Sequence, residues 1–161
     1  MQLSFEDRSY LITGGGSGIG KAVAAGLAAA GADVVIVGRG AERLAAVAAE
    51  IGVRHFAADV TDEDSVIAAV DTAVQQHGRL HGVVHCAGGS QTIGPITQID
   101  SEAWRRTVDL NINGSMYVLK HAGRALVRGG GGSFVGISSI AASNTHRWFG
   151  AYGPTKSALD H

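Results

Sequence analysis

A tyrosine and a lysine stand four residues apart near the end of the chain, in the segment Tyr152-Gly153-Pro154-Thr155-Lys156. Residues four apart share one face of a helix, and Pro154 suits a first helical turn, where no intrahelical amide is required. Free tyrosine titrates at about 10 and exchanges protons poorly at neutral pH, but a neighbouring ammonium stabilises the phenolate. The pair predicts acid–base chemistry at Tyr152, although the same spacing also arises by chance in helices without chemistry.

Other polar side chains stand where they could join this pair. Ser138 and Ser139 end a predicted strand, and Ser139 precedes Tyr152 by thirteen residues. Both serines then lie at the carboxyl end of a parallel sheet, where folds of this type bind ligands. Asn111 lies in a predicted helix, where an asparagine without a partner is more often a polar irregularity than a reacting group. These residues form one site only if the fold brings them together.

A glycine-rich segment, Thr13-Gly14-Gly15-Gly16-Ser17-Gly18-Ile19-Gly20, follows the first apolar run and precedes an alanine-rich helix. Free amides and the helix dipole create an anion site at such a position, and glycines let a pyrophosphate approach the backbone. Three interpretations compete: a P-loop, a dinucleotide-binding turn, and a tight turn that binds nothing. Ala22 disfavours the P-loop, because Ser or Thr must bind magnesium there. The dinucleotide interpretation is favoured, although Gly14-x3-Gly18-x-Gly20 departs from the usual G-x-G-x-x-G spacing.

The residue that follows the second predicted strand bears on the choice of dinucleotide. An acidic side chain at this place binds the ribose 2′-hydroxyl in many dinucleotide folds, whereas this chain reads Val37-Gly38-Arg39. A guanidinium can hold a 2′-phosphate through charge-assisted hydrogen bonds. NADP(H) is therefore favoured and NAD(H) remains possible, because Arg39 could instead be an ordinary solvated loop arginine.

Short apolar runs alternate with helical segments along the chain. The predicted strands cover residues 10–12, 33–37, 55–58, 82–86 and 133–138. The predicted helices cover residues 21–31, 41–51, a segment capped by Thr61 that ends at His77, residues 101 to about 127 with an irregularity near 111–114, and a segment that starts at Tyr152. This alternation predicts β-α-β crossovers and an α/β fold, with a doubly wound parallel sheet and helices on both faces.

Length and composition limit the classes of protein. The 161 residues suffice for one domain, residues 1–161, and are too few for two of ordinary size. A net charge of −1 offers no basic field for nucleic acid, and the single cysteine, Cys86, gives no reason to expect a metal site. We find neither a signal peptide nor a run of roughly 18 apolar residues. We therefore expect a cytoplasmic protein with no nucleic-acid or membrane partner.

Taken together, these segments resemble the short-chain dehydrogenase/reductase family in its single-domain form. The spacing Thr13-Gly14-x3-Gly18-x-Gly20 is that family's own glycine pattern. Asp59-Val60 resembles its adenine-contacting pair, and Cys86-Ala87-Gly88 resembles the end of its Asn-Asn-Ala-Gly element. The remaining matches are Asn111 in the context Asn-x-x-Gly, and Ser139, Tyr152 and Lys156 for the family's serine, tyrosine and lysine.

The resemblance implies a Rossmann-type sheet with strand order 3-2-1-4-5 and an NADP(H)-dependent oxidoreductase that acts on a ketone or secondary alcohol. Tyr152 would be the general acid/base, Lys156 would stabilise its phenolate and bind the nicotinamide ribose, and Ser139 would hold the substrate oxygen. Asn111 would position a water that relays protons to Lys156. The residues implied for the cofactor are Gly14, Ser17, Gly18, Ile19, Gly20, Arg39, Asp59, Val60, Ala87, Gly88, Tyr152 and Lys156.

Two departures from the family pattern stand out. His85 replaces the first asparagine of the Asn-Asn-Ala-Gly element, which puts the sheet-stabilising role of that side chain in question. Family members are also longer, so we expect a sixth and seventh strand and a substrate-covering loop beyond His161, and a homo-oligomer, a tetramer or a dimer, when the protein is full length. A regulatory or scaffolding relative that binds NADP(H) without turnover is the alternative. His146, Trp148 and Phe149 would line a substrate pocket or pack against another subunit.

Overall fold

Five parallel strands form one sheet in the computed structural model, which describes residues 4–161. The first three residues of the predicted 1–161 domain lie outside this range. The order β3-β2-β1-β4-β5 confirms the predicted Rossmann-type topology. The strands are β1 Ser9–Thr13, β2 Asp33–Gly38, β3 Arg54–Ala57, β4 Gly82–His85 and β5 Ser133–Gly136.

Helices connect the strands, as the alternating pattern predicts. They are α1 Gly18–Ala29, α2 Ala41–Ile51, α3 Glu63–Val74, α4 Ser101–Val108, α5 Gly114–Arg128, α6 Ile140–Ser143 and α7 Tyr152–Asp160. A π-helical turn, Asp109–Asn113, joins α4 to α5 at the irregularity expected from the sequence. None of the helices in the described part of the chain combines the length and apolarity that crossing a bilayer requires.

Two hydrophobic clusters cover the two faces of the sheet. Leu11, Val35 and Val83 face α3 and α5, and contribute to one cluster with Val66 and Val118. The alternate strand residues face α1 and α2; that second cluster includes Ile12, Val34, Ile36, Ala24, Leu44 and Val47. Because both faces are covered, the interior positions of β1 and β2, residues 10–12 and 34–37, are apolar without alternation. This packing fixes the carboxyl ends of β1, β2 and β4 beside one another.

The start of α3 differs from the prediction that Thr61 caps it. Asp62 is the cap, and its carboxylate accepts the Asp64 amide at 3.2 Å. Asp59 holds Thr61 instead, accepting both its amide at 3.0 Å and its hydroxyl at 2.9 Å. The helix also ends at Val74 rather than His77, and residues 75–77 form a turn towards β4.

Other boundaries also differ from the predicted ones, most of all those of α1 and β5. Helix α1 begins at Gly18, inside the glycine segment, and ends at Ala29. Strand β5 ends at Gly136 because its pairing partner β4 ends at His85. Residues 137–139 are therefore not in the strand, and they lead into α6, a short helix that the sequence pattern did not predict. This loop brings Ser139 and the Ile137 carbonyl to the edge of the sheet where the functional residues lie.

Candidate active site

The glycine segment forms a tight turn between β1 and α1. Gly14 has a φ of +69°, and a Cβ at this position would lie 2.9 Å from the Ala87 amide nitrogen. A Cβ on Gly20 would lie 2.5 Å from the Gly14 carbonyl oxygen. Both positions therefore require glycine. The Ser17 side chain makes no capping hydrogen bond, which leaves the first amides of α1 for an anion.

A cavity of about 350 Å³ opens in front of this turn, along the carboxyl ends of the strands. It is bordered by the ends of β1, β2, β3 and β4 and by the start of α1, as the fold predicts for a nucleotide. Ten residues predicted for the cofactor line it: Gly14, Ser17, Gly18, Ile19, Gly20, Arg39, Asp59, Val60, Ala87 and Gly88. The glycine cradle and the free amides suit the phosphates of a dinucleotide.

Two exposed arginines stand at the end of this cavity near β2. Arg39 follows the strand, and Arg43 lies four residues later, in the first turn of α2. A Cβ on Gly16 would be 3.6 Å from the Arg43 Nε, so the Arg43 side chain lies beside the glycine turn. No carboxylate pairs with either guanidinium within residues 4–161. The pair presents unneutralised positive charge to a ligand.

Lys156 lies at the inner side of α7 and is 6% exposed. Its Nζ donates a hydrogen bond to the Ile137 carbonyl at 2.7 Å, and the same atom lies 5.9 Å from the centre of the Tyr152 ring. Burial lowers the pKa of Lys156, an effect that Cys86 and Asp160 oppose. The structure thus brings together the tyrosine and lysine that the spacing in the sequence paired.

Asn111 lies in the π-helical turn and is 2% exposed. Its Nδ2 donates to the Gly89 carbonyl at 2.8 Å and to the Thr155 Oγ1 at 2.9 Å, while its Oδ1 accepts the Gly89 amide at 2.9 Å. The side chain therefore ties the loop after β4 to α7, one residue from Lys156. Sequence reasoning missed Thr155, whose only signal was its place between Tyr152 and Lys156.

Gly88 joins the cavity to these side chains. It lines the cavity, and a Cβ built on it would lie 3.0 Å from the Asn111 Oδ1 and 3.1 Å from the Lys156 Nζ. The polar ends of Asn111 and Lys156 therefore point at the backbone that borders the cavity. Two of the four predicted reacting groups, Asn111 and Lys156, therefore meet the predicted cofactor groups at this glycine.

Ser139 is placed beside the start of α7 by α6. It caps α6, accepting the Ala141 amide at 3.2 Å, so its own hydroxyl proton remains available to a ligand. A Cβ on Gly153 would lie 3.0 Å from the Ala141 carbonyl, which shows how closely α6 packs against the first turn of α7. The helix that Ser139 caps is thus in contact with the residue that follows Tyr152.

An aromatic cluster lies beside Tyr152. The Phe149 and Tyr152 rings are 5.7 Å apart in an edge-to-face arrangement, and the His146 ring lies 4.9 Å from Phe149. Trp148 is half exposed and stacks with Arg147. Of the three residues noted in the sequence, Phe149 therefore packs against Tyr152, and His146 packs against Phe149.

Other histidines have structural partners. Nε2 of His121 contacts the Glu63 carboxylate at 2.7 Å, and hydrogen bonds from Lys120 and His121 lower the pKa of Glu63. His121 and His81 are partly buried. His85 is buried between β1 and α5, where it hydrogen-bonds to Thr13 at 2.7 Å and to Ser115 at 2.9 Å. The histidine therefore links β4 to its neighbours at the position where the family pattern has asparagine.

Replacing Gly88 by alanine is expected to lower turnover by roughly tenfold or more, because the methyl group displaces the ends of Asn111 and Lys156. Steady-state kinetics of the full-length protein measure this effect, and thermal unfolding measures stability. Gly26→Ala is the matched control, since nothing lies within 4 Å of its Cβ position in α1. Equal turnover in the two variants would show that a methyl group on Gly88 does not disturb Asn111 and Lys156 enough to affect catalysis.

The sequence itself decides the family. The sequence model of the short chain dehydrogenase family matches residues 8–161. This chain belongs to that family. Because this family binds nicotinamide cofactors, the match favours the dinucleotide interpretation of the glycine segment over the P-loop.

Relatives with named activities are dehydrogenases. The chain is 40% identical over 141 residues to a cis-4-hydroxycyclohexanecarboxylate dehydrogenase of Sinomonas cyclohexanicum, an alignment that covers 85% of this chain and 57% of the relative. It is 35% identical over 138 residues to a D-threitol dehydrogenase of Mycolicibacterium smegmatis, covering 83% of this chain and 53% of the relative. The chain thus spans little more than half the length of these relatives.

Solved structures of short-chain dehydrogenases share the fold. A short-chain type dehydrogenase/reductase from Mycobacterium ulcerans is 69% identical with a TM-score of 0.97, covering 99% of this chain and 61% of that one. A Shigella flexneri short chain dehydrogenase complexed with NADP is 27% identical (TM-score 0.91; 99% and 70% covered). A xylitol dehydrogenase bound to NAD⁺ is 30% identical (TM-score 0.90; 96% and 62% covered). The family binds nicotinamide cofactors of both kinds.

Proposed function

We propose that the full-length protein is an NADP(H)-dependent oxidoreductase that interconverts a secondary alcohol and its ketone. The observation that carries this proposal is the junction at Gly88. This residue borders the glycine-lined cavity, and its Cα faces Asn111 and Lys156 on the other side. A cofactor in the cavity and a substrate near Tyr152 would therefore be neighbours.

The chain's own residues would bind, orient and exchange a proton. The bound cofactor supplies or accepts the hydride. Tyr152 gives a proton to the substrate oxygen in reduction and takes it in oxidation, and the buried Lys156 ammonium, 5.9 Å from the ring centre, stabilises the phenolate. Ser139 donates its free hydroxyl proton to the substrate oxygen.

Asn111 would support this proton transfer from its position next to Lys156. Its side chain holds the loop after β4 against α7, next to Lys156. We propose that it positions a water that relays protons between solvent and Lys156. The aromatic residues Phe149 and His146 would exclude other water from the ring of Tyr152.

The preference for NADP(H) rests on charge. Arg39 and Arg43 border the cavity where the adenine ribose of a dinucleotide would follow β2, and neither has an acidic partner within residues 4–161. A 2′-phosphate would neutralise both through charge-assisted hydrogen bonds. Directly after β2 stands Arg39 rather than the carboxylate that binds the free 2′-hydroxyl of NAD(H) in many dinucleotide folds.

We propose a small hydroxylated molecule as substrate, such as a ring alcohol that bears a carboxylate or a short polyol. These are the substrate types in the names of the relatives with 40% and 35% identity. The cytoplasmic location and the assembly into a tetramer or dimer stay predictions from the sequence.

Turnover with a panel of cofactors and alcohols tests the proposal. The full-length protein is incubated with NADP⁺ or NAD⁺ and with cis-4-hydroxycyclohexanecarboxylate, threitol or other secondary alcohols, and reduced nicotinamide is followed by its absorbance. We expect oxidation of at least one alcohol, faster with NADP⁺ at subsaturating concentrations. Tight NADPH binding in titration calorimetry without turnover of any panel member would favour the regulatory alternative and contradict the proposal.

A further inference from the structure

A buried chain of hydrogen bonds runs from the carboxyl end of β1 to the π-helical turn. The Ala87 amide donates to the Thr13 Oγ1 at 3.1 Å, and this oxygen lies 2.7 Å from the His85 Nδ1. The His85 Nε2 lies 2.9 Å from the Ser115 Oγ, which donates to the Asn111 carbonyl at 2.6 Å. The three side chains between its ends, Thr13, His85 and Ser115, are at most 7% exposed.

The number of available protons fixes which group donates and which accepts in each of these hydrogen bonds. Ser115 has a single hydroxyl proton, which the Asn111 carbonyl takes, so its oxygen must accept from the His85 Nε2–H. The Nδ1 of a neutral imidazole protonated at Nε2 is an acceptor, so the Thr13 hydroxyl must donate to it. Thr13 then accepts the Ala87 amide. Only the neutral Nε2–H tautomer satisfies every member.

The chain of hydrogen bonds ends at an unusual segment of backbone, the π-helical turn. The Gly114 amide donates to the Asp109 carbonyl five residues earlier, which defines the π-helical turn. A serine hydroxyl bonded to the carbonyl four residues before it bends a helix locally, and here that carbonyl belongs to Asn111. The Ser115 hydroxyl therefore acts on the backbone that orients the Asn111 side chain.

We propose that His85 is a positioning residue, which through Ser115 holds the Asn111 carbonyl and hence the whole turn in register with β1 and β4. A shorter asparagine at this position would reach Thr13 but not Ser115. The histidine therefore does more than replace the strand contact that the family's asparagine makes. The proposal rests on the proposed function only for its effect on turnover.

The surroundings keep the histidine neutral. Burial, and secondarily the charge of Lys156 on α7, lowers the pKa of His85 to about 4. Directly after its own strand the neighbouring titratable group is the Cys86 thiol, whose pKa burial raises. From β5 the neighbour is the apolar ring of Phe134, whose centre lies 6.4 Å from that of the imidazole. The chain of hydrogen bonds is therefore expected to persist throughout the neutral range. It breaks only when acid protonates Nδ1, which removes the acceptor that Thr13 needs.

Three variants distinguish the roles of the two imidazole nitrogens of His85. His85→Asn keeps an amide near the place of Nδ1, and His85→Gln keeps one near the place of Nε2. Ser115→Ala keeps the histidine and removes the hydroxyl that joins it to the Asn111 carbonyl. His81→Asn is the matched control: this histidine also joins the segment before β4 to β1, accepting the Ser9 amide at 3.0 Å, but at the opposite end of the sheet. All are made in the full-length protein.

The first readout needs neither substrate nor turnover. Imidazole ¹⁵N spectra of the wild type are expected to show His85 protonated at Nε2 alone at pH 7. Amide hydrogen exchange across residues 109–115 is expected to rise roughly tenfold in His85→Asn and in Ser115→Ala, less in His85→Gln, and not in His81→Asn. A proton on Nδ1, or an exchange rate in the turn that His81→Asn raises as much as His85→Asn, would overturn the proposal.

The second readout is the turnover number. We expect His85→Asn and Ser115→Ala each to lower kcat by roughly 10- to 100-fold, because small displacements of a catalytic group are costly, with KM for the substrate close to that of wild type. The double variant should lose no more than either single one, since both interrupt one chain. Additive losses would overturn the proposal. A wild type without turnover would instead count against the proposed function, and the exchange and ¹⁵N results would still decide the role of His85.

Discussion

Replacing Tyr152 by phenylalanine is expected to lower turnover by roughly 10²- to 10⁴-fold while leaving cofactor affinity close to that of wild type. The substitution removes one oxygen and keeps the ring that packs edge-to-face on Phe149 at 5.7 Å. In the proposed mechanism the loss is large because the removed oxygen carries the exchanged proton. The Lys156 ammonium, 5.9 Å from the ring centre, then has no phenolate to stabilise. Kinetics with a saturating cofactor, and calorimetric titration of NADPH, measure the two quantities.

Tyr10→Phe is the control for this experiment. Tyr10 lies in β1 and packs against Phe5, away from the cavity, so loss of its hydroxyl should change turnover little. Wild-type turnover in Tyr152→Phe would remove the phenol from the mechanism. A loss of turnover accompanied by an equal loss of NADPH binding would indicate a structural role for the hydroxyl.

Replacing Arg39 by aspartate is expected to reverse the cofactor preference. A hydrogen bond to a charged group contributes about 1.5–3 kcal/mol, which corresponds to a loss of NADPH affinity of roughly 10- to 150-fold. The new carboxylate repels a 2′-phosphate and can accept a ribose 2′-hydroxyl, so NADH affinity should hold or improve. Dissociation constants of NADPH and NADH at several salt concentrations measure the change, and the NADPH constant of the wild type should be the more sensitive to salt.

Arg43→Ala and Arg105→Ala complete this comparison. Arg43 borders the cavity beside the glycine turn, so its loss should weaken NADPH more than NADH. Arg105 is an exposed arginine of α4 that pairs with Glu102 at 3.3 Å, and its loss should affect neither cofactor. If the wild type binds NADH as tightly as NADPH, the proposed role of these arginines is wrong.

Much of the fold could be predicted from local sequence because the central strands β1, β2 and β4 are largely buried. The β-branched run of β2 and the glycine that ends α2, with a φ of +69° at Gly52, mark their elements without tertiary information. The cap of α3 could not be predicted in this way. Thr61 and Asp62 are both good caps, and the choice depends on Asp59, which holds Thr61 once β3 has placed it.

The candidate site shows the same division between local and tertiary information. The spacing of Tyr152 and Lys156 indicates a shared helix face, and the glycine segment indicates an anion site. Arg43 was missed because an arginine in the first turn of a helix carries no special signal in the sequence. Only the fold, through the short loop between β2 and α2, places it beside Gly16. His85 was identified only as a departure from the family pattern. Its partners Thr13 and Ser115 lie 72 and 30 residues away, so only the fold discloses the hydrogen bonds between them.

Following a labelled hydrogen in the turnover assay tests the central claim most directly. The full-length protein is given NADPH that carries deuterium at the transferring position of nicotinamide C4, together with 4-oxocyclohexanecarboxylate or another ketone of the active pair. Mass spectrometry of the alcohol should then find deuterium on the carbinol carbon in the wild type and hardly any alcohol with Tyr152→Phe. An alcohol without the label, or no alcohol from any ketone although NADPH binds, would contradict hydride transfer at this site.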